Sequence, residues 1–85
     1  NLLKNLVASA TYLNPDKSTS GHKYPGQEEV YVFMTGTGKM EIDDRTFEVK
    51  PGDVVLIEDG EFHRVHNDGN EILEFVCVFD GKRSH

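Results

Sequence analysis

The chain has 85 residues, a single cysteine (Cys77) and a formal net charge of −6. That length makes one domain, spanning 1–85, near the lower end of what folds around a single core, and one cysteine excludes an internal disulfide, so the core or a partner subunit supplies the stability. The acidic balance argues against a nucleic-acid partner, and no apolar run reaches the roughly 18 residues of a membrane helix. No signal-peptide pattern opens the chain, which reads as a soluble cytoplasmic domain with no membrane attachment. It begins at Asn1 rather than Met, and the expectation is that the first strand or two of the full protein are missing from it.

Short period-two segments separated by turn residues fill the chain, the pattern of an all-β fold. Asn1 to Leu6 is too short to assign, Val7 to Leu13 reads as a strand, and Asn14 to Gly21 is a polar loop by composition. Glu29 to Thr35 alternates, with Val30, Val32 and Met34 on one face and Glu29, Tyr31 and Phe33 on the other. Gly36-Thr37-Gly38 turns the chain into a strand over Lys39 to Asp43. Asp43-Asp44-Arg45 is a hairpin tip, and Thr46 to Lys50 is the return strand. Pro51-Gly52 breaks it, and Val54 to Ile57 follows as an apolar run. Glu61 to His66 is a strand ending in the turn Asn67-Asp68-Gly69-Asn70, and Ile72 to Phe79 is the last long strand. No amphipathic helix interrupts the series. Strands this short and this evenly spaced predict a small closed barrel or sandwich of antiparallel strands.

Both faces of the two long strands are largely apolar. In Ile72 to Phe79 one face carries Leu73, Phe75, Cys77 and Phe79, and the other carries Ile72, Glu74, Val76 and Val78. A lone barrel should be polar outside. A second subunit covering the outer face, and hence a homodimer, is the expectation; the missing N-terminal residues or a sheet packed within the chain are the alternatives.

The stretch from Gly52 to Asn67 resembles the second motif of the cupin family, G-x5-P-x-G-x2-H-x3-N. Gly52, Gly60, His63 and Asn67 fall at the family's spacing, and Glu58 stands in place of the proline. The proline preorganises that turn, so its loss should loosen the loop, while Gly60 can still supply a positive φ. The first motif, G-x5-H-x-H-x3,4-E-x6-G, is met by His22, Glu29 and Gly36, with Tyr24 at the second histidine and Asp16 at the leading glycine. The resemblance covers about residues 20–80 and implies a double-stranded β-helix (jelly-roll) barrel of antiparallel strands.

It also implies a site. His22, Glu29 and His63 are the metal ligands that the resemblance carries over, with Tyr24 as a distant fourth ligand. Two histidines and a carboxylate suit a divalent transition metal, Fe(II), Mn(II), Ni(II) or Zn(II), with coordination positions left open for a small-molecule ligand. Tyr24 and Tyr31 are the catalytic candidates: Tyr24 as a substrate contact or general acid–base, Tyr31 because it shares a strand face with Glu29. A phenol is a poor ligand beside imidazole, and Tyr31 reads equally well as an aromatic core filler. Glu29 in a barrel interior would be costly unless paired or metal-bound. Glu28 has the opposite parity and should face solvent. His66 and His85 read as surface or hydrogen-bonded residues, and Cys77, mid-strand, as core rather than nucleophile. The functional expectation is a metal-binding cupin acting on a small polar metabolite such as a sugar or organic acid, by isomerase, lyase or dioxygenase chemistry. A non-catalytic sugar or metabolite sensor is the alternative.

Overall fold

The alternation in Glu29–Thr35 is realised as a strand with Glu29, Tyr31 and Phe33 buried and Val30 and Val32 half-buried on the reverse face. The computed structural model describes residues 6–21 and 28–80. In chain order the strands are β1 (Leu6–Leu13), β2 (Glu29–Thr35), β3 (Gly38–Ile42), β4 (Arg45–Val49), β5 (Val54–Ile57), β6 (His63–His66) and β7 (Leu73–Asp80). Each predicted strand is present, within two residues at either end. No helix occurs among the described residues, so none is long and apolar enough to cross a membrane.

The strands form two antiparallel sheets, one ordered β1-β7-β2-β5 and the other β4-β3-β6. Tyr31, Phe33, Ile57, Leu73 and Phe75 from the first sheet meet Met40, Ile42, Val49 and Val65 from the second in one core. Three aromatic rings form its centre, with Tyr31 stacked on Phe75 at 5.3 Å and Phe33 tilted against Phe75 at 5.4 Å. This is the all-β double-sheet architecture that the strand pattern predicted.

Two turns set the registers that matter below. Between β4 and β5, Pro51 fixes φ at the first corner, and Gly52 takes φ +93°, which a side chain would strain. Asp53 N–H donates to Lys50 O at 3.1 Å, and the Asp53 carboxylate accepts from Lys50 N–H at 3.0 Å. Before β6, Gly60 takes φ +81°, the positive φ expected of it. Glu58 does more there than was expected. Its N–H, which proline would lack, donates to Glu61 Oε1 at 2.8 Å, while Glu61 N–H donates to Glu58 O at 3.1 Å. The turn is thus tied by two hydrogen bonds where a proline would have stiffened it.

Candidate functional site

Four side chains of the interior face build the site. Pairing of Glu29 with Phe79 on one side and Ile57 on the other places Glu29 in an apolar row across the first sheet. Pairing of Tyr31 with Cys77 places those two in the next row. His63 enters from the second sheet, where it pairs with Ile42. Alternation on β2, β6 and β7 turns these side chains inward. Glu29 is 7% exposed and His63 is 3% exposed, whereas Glu28 is exposed as its parity required.

The pair across the barrel is close. His63 Nε2 lies 3.4 Å from Glu29 Oε1. His63 Nδ1 lies 3.1 Å from Glu61 O, and because a carbonyl only accepts, Nδ1 carries the proton and donates. In the neutral ring, Nε2 then presents a lone pair toward the carboxylate. Cys77 Sγ donates to the same Oε1 at 3.1 Å. The Tyr31 ring and the imidazole meet in a T-shaped contact, with centroids 5.7 Å apart and planes at 74°. A cleft of about 350 Å³, lined by Leu6, Glu28, Glu29, Val30, Leu56, Val78, Phe79 and Asp80, reaches the Glu29 end of the site.

Burial pushes the Cys77 thiol up to about 12, with the hydrogen bond and negative charge of Glu29 adding to that and Tyr31 opposing it. The thiol therefore stays protonated and supplies a hydrogen bond to Glu29 rather than a thiolate to a metal. Reading Cys77 as core missed this contact. The signal was present in the parity of β7, which puts Cys77 on the face of Phe75 and Leu73, toward the interior.

Two groups of the kinds that suit a transition metal, a carboxylate oxygen and an imidazole nitrogen, thus converge in a buried place. Both backing contacts, Glu61 O on Nδ1 and the Cys77 thiol on Oε1, are of the kind that orient metal ligands. His22 and Tyr24, the other predicted site residues, lie outside the described residues. Among the described residues, no group of three or more His, Cys, Asp or Glu side chains is placed to hold a metal ion. The pair Glu29 and His63 fits a metal as part of a ligand set, with the remaining predicted ligand beyond what is described.

Asn67, the last residue of the second motif, serves the fold. It is 2% exposed, its Nδ2 donates to Leu13 O at 2.8 Å and Glu71 O at 2.7 Å, and its Oδ1 accepts from Gly69 N–H at 3.0 Å. It pins the end of β1 to the turn leading into β7.

Comparison with known proteins agrees with this architecture. Residues 11–79 match the family described as the cupin domain. The chain is 36% identical over 66 residues to the oxalate-binding protein of Thermotoga maritima, covering 78% of this chain and 54% of that one. It therefore spans about half the length of that curated relative. A crystal structure of a predicted oxalate decarboxylase from Thermotoga maritima superposes with a TM-score of 0.83 at 32% identity, over 87% of this chain and 64% of that one. A cupin 2 conserved barrel domain protein from Rhodopseudomonas palustris superposes with a TM-score of 0.90 over 100% of this chain and 58% of that one, at 15% identity, a likeness of fold. With the two motifs, the facing antiparallel sheets and a match across most of its length, the chain belongs to the cupin domain family.

Proposed function

We propose that this domain binds a small organic acid through a divalent transition metal held by Glu29, His63 and His22. The observation that carries the reading is the buried approach of Glu29 Oε1 to His63 Nε2 at 3.4 Å, with Nδ1 occupied by Glu61 O. A carboxylate oxygen and an imidazole nitrogen brought together in an apolar interior are a donor pair of the kind that holds a divalent transition metal. When bound, the metal would supply a Lewis-acid centre for a chelating oxygen ligand.

The protein's own residues define what such a ligand meets. The Cys77 thiol and Glu61 carbonyl hold Glu29 and His63 in place. Tyr31 and Phe75 wall the interior with stacked rings. Tyr24 is proposed as a ligand contact. Organic acids are favoured over sugars because the Thermotoga maritima relative is named an oxalate-binding protein and a Thermotoga maritima structure of similar identity is described as a predicted oxalate decarboxylase. An anionic ligand approaching Glu29 in a chain of net charge −6 is repelled unless a cation is present. Acid binding and metal binding should therefore be inseparable here.

The test is metal content by mass spectrometry on untagged protein, followed by thermal unfolding with and without oxalate. About one metal per chain is expected, lost in His63→Ala, with an oxalate-dependent rise in Tm that vanishes after chelation. Absence of metal after incubation with Fe(II), Mn(II), Ni(II) and Zn(II) overturns the reading. A non-catalytic role is favoured by the relative that is named for binding and by Tyr24 at a histidine position. It predicts the oxalate shift without consumption of oxalate, and turnover would instead establish an enzyme.

A further inference from the structure

The outer face of the β4-β3-β6 sheet carries a second set of reactive side chains, apart from Glu29 and His63. The polar loop 14–21 lies along β6, where Ser18 forms an isolated antiparallel bridge with His66. Asn67 N–H donates to Lys17 O at 2.8 Å and Thr19 N–H to Val65 O at 2.9 Å, which fixes the register of that bridge. Arg64 Nε donates to Thr19 O at 2.9 Å and Val65 N–H to Thr19 Oγ1 at 3.0 Å, so the loop is held from several sides.

Within that frame Ser18 Oγ lies 2.7 Å from His66 Nδ1, and His66 Nε2 lies 3.1 Å from Glu41 Oε1. A carboxylate only accepts, so Nε2 carries the imidazole proton and donates to Glu41. The lone pair of the neutral ring is then on Nδ1, where it accepts the Ser18 O–H. A serine hydroxyl on an imidazole, with the far nitrogen of that imidazole held by a carboxylate, is the order of nucleophile, base and orienting group in acyl transfer. Both distances are within the reach that proton transfer needs. Ser18 is exposed and open to an incoming reagent, while His66 and Glu41 are half-buried and held. Lys39, opposite His66 in the β3–β6 ladder, adds a cation on the same face.

We propose that Ser18, His66 and Glu41 form a nucleophilic relay in which Ser18 accepts the acyl group of small activated esters. Ser18 Oγ bonds to the ester carbonyl carbon while its proton passes to His66 Nδ1. The bond from that carbon to the leaving oxygen then breaks, and the leaving oxygen takes the proton. Water, giving a proton to Nδ1, attacks the acyl-serine, and Ser18 Oγ departs with that proton. Ester and water become acid and alcohol, and no redox partner is required. Glu41 is the positioning residue, fixing the ring as the Nε2–H tautomer.

The test is incubation with p-nitrophenyl acetate, following p-nitrophenolate release and mapping the acetyl group by peptide mass. Acetylation of Ser18 is expected, abolished by Ser18→Ala and slowed about 100-fold by His66→Ala, the lower range of general-base contributions. Ser18→Ala removes only an exposed hydroxyl, so it keeps the test decisive if His66→Ala fails to fold. Glu41→Ala is expected to slow acetylation and to release His66 from the Nε2–H tautomer in a ¹H–¹⁵N correlation spectrum of the imidazole. Equal p-nitrophenolate release by the parent chain and Ser18→Ala, or acetyl groups on lysines alone, overturns the proposal and leaves Ser18 and His66 as a structural tie.

Discussion

Single residues at the site hold roles that their types alone would not assign. Glu29 is an acid in an apolar row, kept there by His63 and by a thiol that donates to it. With the thiol pushed up to about 12, Cys77 has almost no thiolate at pH 8. Alkylation by iodoacetamide should run about 1,000-fold slower than for an exposed thiol, and denaturant should restore the ordinary rate. The same shift has a consequence for stability: an acid raised in the folded state favours folding below its ordinary value of 9.0 and loses that advantage as pH climbs toward about 12. Chelator-treated Cys77→Ala should accordingly show a shallower alkaline loss of Tm than the parent chain. Asn67 belongs to the family motif for a structural reason. Asn67→Ala strands two carbonyls and an N–H in a buried place, and should cost roughly 3 kcal/mol in urea unfolding, with metal content unchanged.

At the scale of elements, the turns decide how well the strands are held in register. The Lys50–Asp53 turn joins β4 to β5 across the two sheets, and Phe33 N–H donates to Asp53 O at 2.9 Å, tying the turn to β2 as well. The hydrogen bond from the Lys50 side chain, then that from its backbone, holds the Asp53 carboxyl below its ordinary value of 3.8. A depressed acid adds stability above its ordinary value, and that contribution disappears as pH falls through the lower folded value. Asp53→Asn should therefore lower Tm at pH 7 and flatten the Tm loss below pH about 4, as read by acid titration of thermal melts. At the other turn, Glu58→Pro would give up the bond to Glu61 and gain backbone stiffness. These effects are similar in size, about 1 kcal/mol each, so Tm should move by only a few degrees. Loss of far more would mean that the Glu58–Glu61 tie, rather than backbone stiffness, holds this turn.

For the whole molecule, the first sheet has two apolar rows on its outer side. Ala8, Val78, Val30 and Leu56 form one, and Ala10, Val76, Val32 and Val54 the other, as the pairings of β1, β7, β2 and β5 require. Val54 is 65% exposed and Leu56 55% exposed. Water-facing apolar rows of this extent favour the homodimer that the two-sided strands led us to expect, and we propose this face as its interface. Light scattering should give twice the chain mass for the parent protein and the single mass for Val54→Lys combined with Leu56→Lys; a monomeric parent removes the proposal. The inner and outer rows of this sheet were legible in the sequence because strands alternate with period two, and so were the strand boundaries, because Gly, Pro, Asn and Asp punctuate them. Glu29 and His63, singled out by motif spacing, lie 3.4 Å apart across the barrel although 33 residues separate them in the chain.

What the sequence determined by itself was local: strand positions, side-chain parity, turn residues, and a family motif whose spacing places an acid and a histidine on inward faces. Tertiary structure decided what meets what across the sheets. It set the Cys77 thiol against Glu29, closed the Glu58 turn with an N–H that a proline lacks, and brought Ser18 to His66 from 48 residues away. Periodicity fixes which way a side chain points, whereas strand register and sheet packing fix its neighbour. Those depend on long-range pairing that no window of sequence contains.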